Sequence, residues 1–166
     1  MRSGYNLEEL LTEAIVNEGY SSHLYKGMGI WADIRGFKGC AKFFFKQSEE
    51  ETEHEKKIIN YALSIGIEIK LGEIPAPSFT PGNLRDIFKQ ALEHEKKVTS
   101  YIHELYDKAM QNKDWRTVQF LGWFITEQIE EEKQILDILN IIDKSGLDAP
   151  GLLLADKEIG KYKSNE

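Results

Sequence analysis

The sequence predicts an all-α protein: an antiparallel four-helix bundle with a long crossover between the second and third helices and a short fifth helix near the C-terminus. Three observations lead there. Apolar residues recur with helical period almost throughout the 166 residues. Glycine, proline and asparagine interrupt that period at a few well-separated places. One of the resulting connections, Gly66 to Gly82, is far longer than the others.

The first helix is expected from about Asn6 to Asp33, with Leu7, Leu11, Ala14, Ile15, Ser22, Tyr25 and Ala32 on one stripe. Gly36 and Gly39 flank a short turn, and the second helix follows from about Cys40 to Ile65, its stripe carrying Phe44, Ser48, Ile58 and Ile65. Gly66, Gly72, Pro75, Pro77, Pro81 and Gly82 then mark a connection with no helical pattern. Asn83 is placed to cap the third helix, which runs to about Gln111 through Leu84, Phe88, Ala91, Val98, Ile102 and Leu105. Asn112 and Asp114 make a tight turn into the fourth, which runs to about Lys144 through Leu121, Phe124, Ile135, Ile138 and Ile142. Gly146 ends it, Pro150 blocks immediate continuation, and a last helix is expected from about Gly151 to Lys161.

Loop length sets the topology. Short connections join antiparallel neighbours, so the first helix pairs with the second and the third with the fourth. The middle connection, extended, reaches roughly 50 Å at about 3.3 Å per residue. That is enough to return along the bundle, which makes the second and third helices parallel. The whole chain, 1–166, reads as a single domain with no internal repeat.

Composition excludes several functions. The formal charge is −7, which argues against a nucleic-acid partner, since phosphate binding needs a basic face. Lys157, Lys161 and Lys163 are too few to change that. No apolar run is long enough to span a bilayer, and no secretory signal is visible. Cys40 is the single cysteine; with no intrachain disulfide possible, a reducing cytoplasmic location is expected and Cys40 reads as a packing residue.

Each of the four long stripes is interrupted near mid-helix by residues that do not belong in a core: Glu18, then Glu51 and His54, then Glu95, then Gln128 and Glu131. A buried carboxylate costs several kcal/mol unless its charge is compensated. Four at matching depth point to cations bound inside the bundle. Glu51 and His54 are three residues apart, one turn on the same face, so both can hold one ion. Oxygen-rich ligation with a single imidazole suits iron or manganese. Glu50, Glu127 and Glu130 lie one step round the helices and form a second acidic group, a candidate third metal position or a solvated face. Tyr25 and Trp123 stand near these sites as electron donors or as core, with core the better reading for Trp123; the hydroxyl of Tyr25, once buried, needs a partner that a metal carboxylate supplies. His23, His94 and His103 read as surface or interface residues.

With these residues in place, the chain resembles the ferritins, specifically the non-haem bacterial ferritins. The resemblance rests on Asn17-Glu-Gly-Tyr-Ser-Ser-His-Leu-Tyr25, Glu49-Glu-Glu-Thr-Glu-His54, Glu93-His-Glu95 and Thr126-Glu-Gln-Ile-Glu-Glu-Glu-Lys133, and it spans essentially the whole chain. It implies one iron position at Glu18, Glu51 and His54, and another at Glu51, Glu95 and Glu131 with Gln128 close by. It also implies a third iron at Glu50, Glu127 and Glu130, and Tyr25 as the family tyrosine. It further implies a homo-oligomeric 24-subunit cage with the fifth helix at its four-fold axes. Inside it, iron(II) would be oxidised by O2 or H2O2 and stored as mineral. Haem-binding relatives place Met after the bridging Glu; Thr52 stands there, so no haem is expected. Di-iron oxygenases carry a second Glu-x-x-His on the fourth helix; Gln128-x-x-Glu131 stands there, so the two iron positions are unequal. A rubrerythrin-like peroxidase or other di-iron oxidase is the alternative, and one cysteine cannot build the rubredoxin site of the former. A DNA-protecting mini-ferritin is disfavoured by the acidic charge. Subunit contacts are expected from Leu152 to Leu154 and from Ile30, Trp31 and Phe37.

Overall fold

The computed structural model describes residues 4–163. Among these, five helices are present and no strand: α1 (Leu7–Ile34), α2 (Lys38–Ser64), α3 (Leu84–Gln111), α4 (Trp115–Ser145) and α5 (Ala149–Ile159). The N-termini follow from local chemistry. Asn6, Asn83, Asp114 and Asp148 each accept a hydrogen bond from a backbone N–H in the first turn of their helix, at 3.3, 2.8, 3.3 and 2.8 Å. Such caps are worth about 1 kcal/mol each.

The second helix has no cap of its own, since Phe37 precedes it. Asp156 of α5 supplies one: its carboxylate accepts from Gly39 N at 3.1 Å and from Cys40 N at 2.8 Å. Two helix starts depart from expectation, the first because of this contact. α2 begins at Lys38, so Gly39 lies in the helix and not in the turn. It is glycine because a Cβ there would sit 2.0 Å from the Asp156 carbonyl oxygen. α5 begins at Ala149, before Pro150. Proline is tolerated in the first helical turn, where its missing N–H has no partner to lose.

Two apolar clusters fix the directions of the helices. One joins Leu24 to Ala32 of α1, Cys40 to Phe44 of α2, Leu84 to Leu92 of α3 and Ile135 to Ile142 of α4, with Ala155 and Ile159 of α5. The other joins Leu11 to Ile15, Ile58 and Ala62, Val98 to Ala109, and Leu121 and Phe124. The C-terminal half of α1 therefore lies with the N-terminal halves of α2 and α3 and the C-terminal half of α4. α2 and α3 run parallel, and each hairpin is antiparallel, as loop length predicts. The crossover lies along α1: Ser78 N donates to Tyr20 Oη (3.2 Å) and Thr80 N to Gln90 Oε1 (3.0 Å). Ile74 presses on Gly19 so closely that a Cβ there would be 2.6 Å from Ile74 Cδ1. Among the described residues, no helix is long and apolar enough to cross a membrane.

Candidate metal centre

Between the two apolar clusters the bundle has a polar waist. Glu18, Glu51, His54, Glu95, Gln128 and Glu131 reach it from four helices, and all six are buried, Glu95 completely. Ligand atoms of Glu18, Glu51 and His54 lie within 4.8 Å of one another, and so do those of Glu51, Glu95 and Glu131. Glu51 belongs to both trios, which places two potential ion positions side by side with one carboxylate between them.

Hydrogen bonds orient these groups. His54 Nδ1 is 3.1 Å from Glu51 Oε2. Gln47 Nε2 donates to Glu131 Oε2 at 2.5 Å and reaches Glu51 Oε1 at 3.4 Å. Gln128 Nε2 donates to Glu95 Oε2 at 3.0 Å and is 3.1 Å from Thr99 Oγ1. The buried Tyr25 hydroxyl donates to Glu95 Oε1, a carboxylate partner of the kind its position in the sequence calls for. Glu18 Oε2 is 3.8 Å from His54 Nδ1 and accepts no hydrogen bond.

Against its four carboxylates the waist sets one imidazole, that of His54. Burial, and then the facing Glu51, pushes the Glu95 carboxyl up to about 8. Burial also raises Glu51 to about 8, with repulsion from Glu18 adding to it and His54 opposing. Burial and the charges of Glu51 and Glu95 hold Glu131 well above the usual carboxylate range. Burial disfavours the charged His54 ring, but the carboxylates of Glu18 and Glu51 outweigh it and push it up to about 11. A cluster of carboxyls that retain protons near neutrality, beside an acceptor oxygen with no donor, is the environment a divalent cation satisfies. The donor set, four carboxylates and one imidazole, fits iron(II).

Glu50, Glu127 and Glu130 are arranged differently from one another. Glu127 Oε1 lies 3.7 Å from His54 Nε2, and Glu127 forms a further group with His54 and Glu131. Glu50 is ion-paired with Lys163, and Glu130 is exposed. Two aromatic and imidazole expectations need correction. Trp123 is not core: it is 38% exposed, packs edge-on to His54 with ring centroids 5.3 Å apart, and carries Lys57 Nζ 4.0 Å above its ring. His94 is half-buried and not on the open surface. It is 2.7 Å from Ser21 Oγ and packs against Tyr20 and Tyr25, and burial followed by the charge of Lys97 holds it down at about 4. Its partners come from α1, a contact that spacing along α3 does not reveal. Gln47 went unnoticed in the sequence. It stands one turn before Glu51 on the same face, and that spacing is the signal that could have found it.

Residues 8–145 match the ferritin-like domain family. A probable bacterial non-haem ferritin-like protein of Haemophilus influenzae is 38% identical over 159 residues, covering 96% of each chain. A bacterial non-haem ferritin of Staphylococcus aureus is 34% identical over 161 residues, covering 97% of each. Among solved structures, an open-pore ferritin from the hyperthermophilic archaeon Archaeoglobus fulgidus superposes with a TM-score of 0.90 at 36% identity, covering 93% of this chain and 96% of that one. With matching helices, a buried carboxylate waist and relatives of its own length, the chain belongs to the ferritin family, among the non-haem bacterial-type ferritins.

Proposed function

We propose that this protein is an iron-storage ferritin that oxidises iron(II) at the waist, and that residues 1–166 act as one domain. The observation that carries the reading is Glu51, shared between two buried trios of ligand atoms. One iron(II) binds at Glu18, Glu51 and His54, the second at Glu51, Glu95 and Glu131. Entry of each ion displaces protons from carboxyls that otherwise keep them, so binding is coupled to proton release. Two iron(II) supply two electrons; O2 with two protons becomes H2O2, or H2O2 with two protons becomes two waters. The carboxylates neutralise the iron(III) product, and the apolar clusters on either side keep bulk water away while it forms.

Supporting residues follow from the same geometry. Gln47 and Gln128 fix the orientation of Glu131 and Glu95 by donating to them. Tyr25 holds the other oxygen of Glu95 and is the nearest candidate electron donor. Imidazole serves one position alone, so the ion at Glu95 and Glu131 is the weaker bound and the first to leave. Glu127, Glu50 and Glu130 lie on the α2–α4 side and receive a third iron on its way out. Membership of the ferritin family supports assembly into a homo-oligomer, for which we propose 24 subunits, cytoplasmic and without haem.

Replacing Glu51 removes a ligand from both ions. We expect Glu51→Ala to slow the initial oxidation of iron(II) by at least about 100-fold, at or beyond the upper end of the range seen when only a supporting partner of a ligand is lost. Stopped-flow absorbance of iron(III) under O2 measures it, and a wild-type rate in the variant would remove the paired-site reading.

A further inference from the structure

Lys163 follows α5 and is the one lysine of that region whose side chain is drawn inside. It is 3% exposed, whereas the side chain of Lys161, which pairs with Glu158, is 63% exposed. The Lys163 ammonium is ion-paired with Glu50 and lies 5.5 Å from the centroid of the Phe43 ring. Its backbone sits at φ +60°, a left-handed conformation that a residue with a side chain adopts at a cost. Its charge also acts on Glu131, whose proton affinity it lowers.

Glu50 stands at a mouth of the waist. With Glu53, His54, Lys56, Lys57, Asn60 and Trp123 it lines a cavity of about 430 Å³ on the α2–α4 side. His54 connects that cavity to the paired ligand trios. Both carboxylates of the mouth carry an ammonium: Glu50 that of Lys163, and Glu53 that of Lys56 at 2.9 Å. Lys56 is exposed and its pairing is of the weak surface kind. Lys163 is different, because it is buried, backed by an aromatic face, and tethered to α5, which Asp156 fastens to the start of α2. A tethered cation competes at a high effective concentration against any ion from solution.

We propose that Lys163 is a built-in counter-ion that holds Glu50 until a metal ion displaces it, so that the segment following α5 sets how readily this chain takes an ion at the α2–α4 mouth. The inference rests on the reading of the waist as a metal centre, but concerns a residue outside it. A divalent ion brings two charges to Glu50 where the ammonium brings one. Its arrival must therefore expel Lys163 into solvent, and its departure allows the lysine to return. Passage of iron from the waist through the mouth would thus be reversible and matched by a movement of the Lys163 side chain.

Zinc(II), which is not oxidised, tests this without reference to ferroxidase activity. Equilibrium zinc titration of the full protein should show, in Lys163→Met, an ion beyond the first two per subunit bound at least about tenfold more tightly than in wild type, while Lys163→Arg, which keeps the cation, should follow wild type. Amine labelling of wild type, read by mass spectrometry at Lys163, should be slow without zinc and rise at least severalfold once more than two equivalents are present. Equal zinc affinity in wild type and Lys163→Met, or protection of Lys163 unchanged by saturating zinc, would overturn the proposal. A failure of the waist itself is separately visible, as loss of the first two zinc ions in wild type. The labelling arm needs no variant and stands even where Lys163→Met does not fold.

Discussion

The cluster around Phe43, Phe44 and Phe88 and the waist beside it are made by the same helices. Phe44 and Phe88 stack at 4.7 Å, and Tyr25 lies 6.1 Å from Phe44 with its hydroxyl already on Glu95. Within two turns the bundle passes from rings that gain by leaving water to carboxylates that lose by it. The apolar region stabilises the chain and offers nothing to an ion. The waist offers everything to an ion and costs stability until one arrives. A fold that carries such a layer must obtain its stability elsewhere, and the two flanking clusters are where it does so.

Substitutions should separate the two regions. Phe88→Ala empties a fully buried position and should lower unfolding stability by about 3–5 kcal/mol. Chemical denaturation measures this, and zinc at the waist should still raise the midpoint of the variant. If zinc no longer did so, the two regions would be one unit and the comparison would fail. A smaller effect is expected from Gln47→Leu, which keeps an apolar volume but removes the donor to Glu131. Affinity for the second ion should drop by about 10- to 100-fold, read by zinc titration, while the first ion should weaken less, because Gln47 reaches its ligand Glu51 only at 3.4 Å.

The pH dependence tests the same comparison without a substitution, and its sign differs between groups. Glu51 and Glu95 have folded-state values raised to about 8, against about 4.3 in an unfolded chain. Their contribution is fully present below the unfolded value and is lost as pH rises through 8. His54, raised to about 11, acts in the same direction, its contribution falling away as pH climbs from 6.5 through 11. His94, lowered to about 4, acts oppositely: its contribution is present above 6.5 and lost as pH falls through 4. Between pH 6.5 and 8.5 the waist therefore dominates, and metal-free protein should melt at a lower temperature as pH rises. Saturating zinc should flatten the dependence, because the ion takes the place of the protons. A metal-free melting temperature that rose across this window would contradict the electrostatics of the waist. The apolar cluster contributes no titration here; its one thiol, Cys40, is pushed above this range by burial and by Asp156.

Much of this was legible in the sequence, for a definite reason. Helical period converts position into direction, so Glu18, Glu51, His54, Glu95, Gln128 and Glu131 announced a common face, and all six are buried together. The length of the connection between α2 and α3 announced parallel helices. What was not legible depends on contacts between distant segments. The Asp156 cap on α2, the Ser21 partner of His94 and the Glu50 partner of Lys163 join residues far apart in the chain. Trp123 misled because a large aromatic on an amphipathic helix reads as core, whereas Lys57 covers its ring on the outside. Gln47 was passed over because a neutral amide raises no question of charge, although its whole use is to orient one that does.

The parallel arrangement of α2 and α3 has a consequence for how the chain assembles. The crossover, laid over Gly19, holds one hairpin docked on the other. That docking brings Glu18 and Glu51 of one hairpin against Glu95 and Glu131 of the other. Bringing these carboxylates together is a repulsion that protons or divalent ions remove, and we expect refolding, followed by stopped-flow fluorescence, to quicken with either. An unchanged refolding rate across these conditions would show that the hairpins meet without passing through that repulsion.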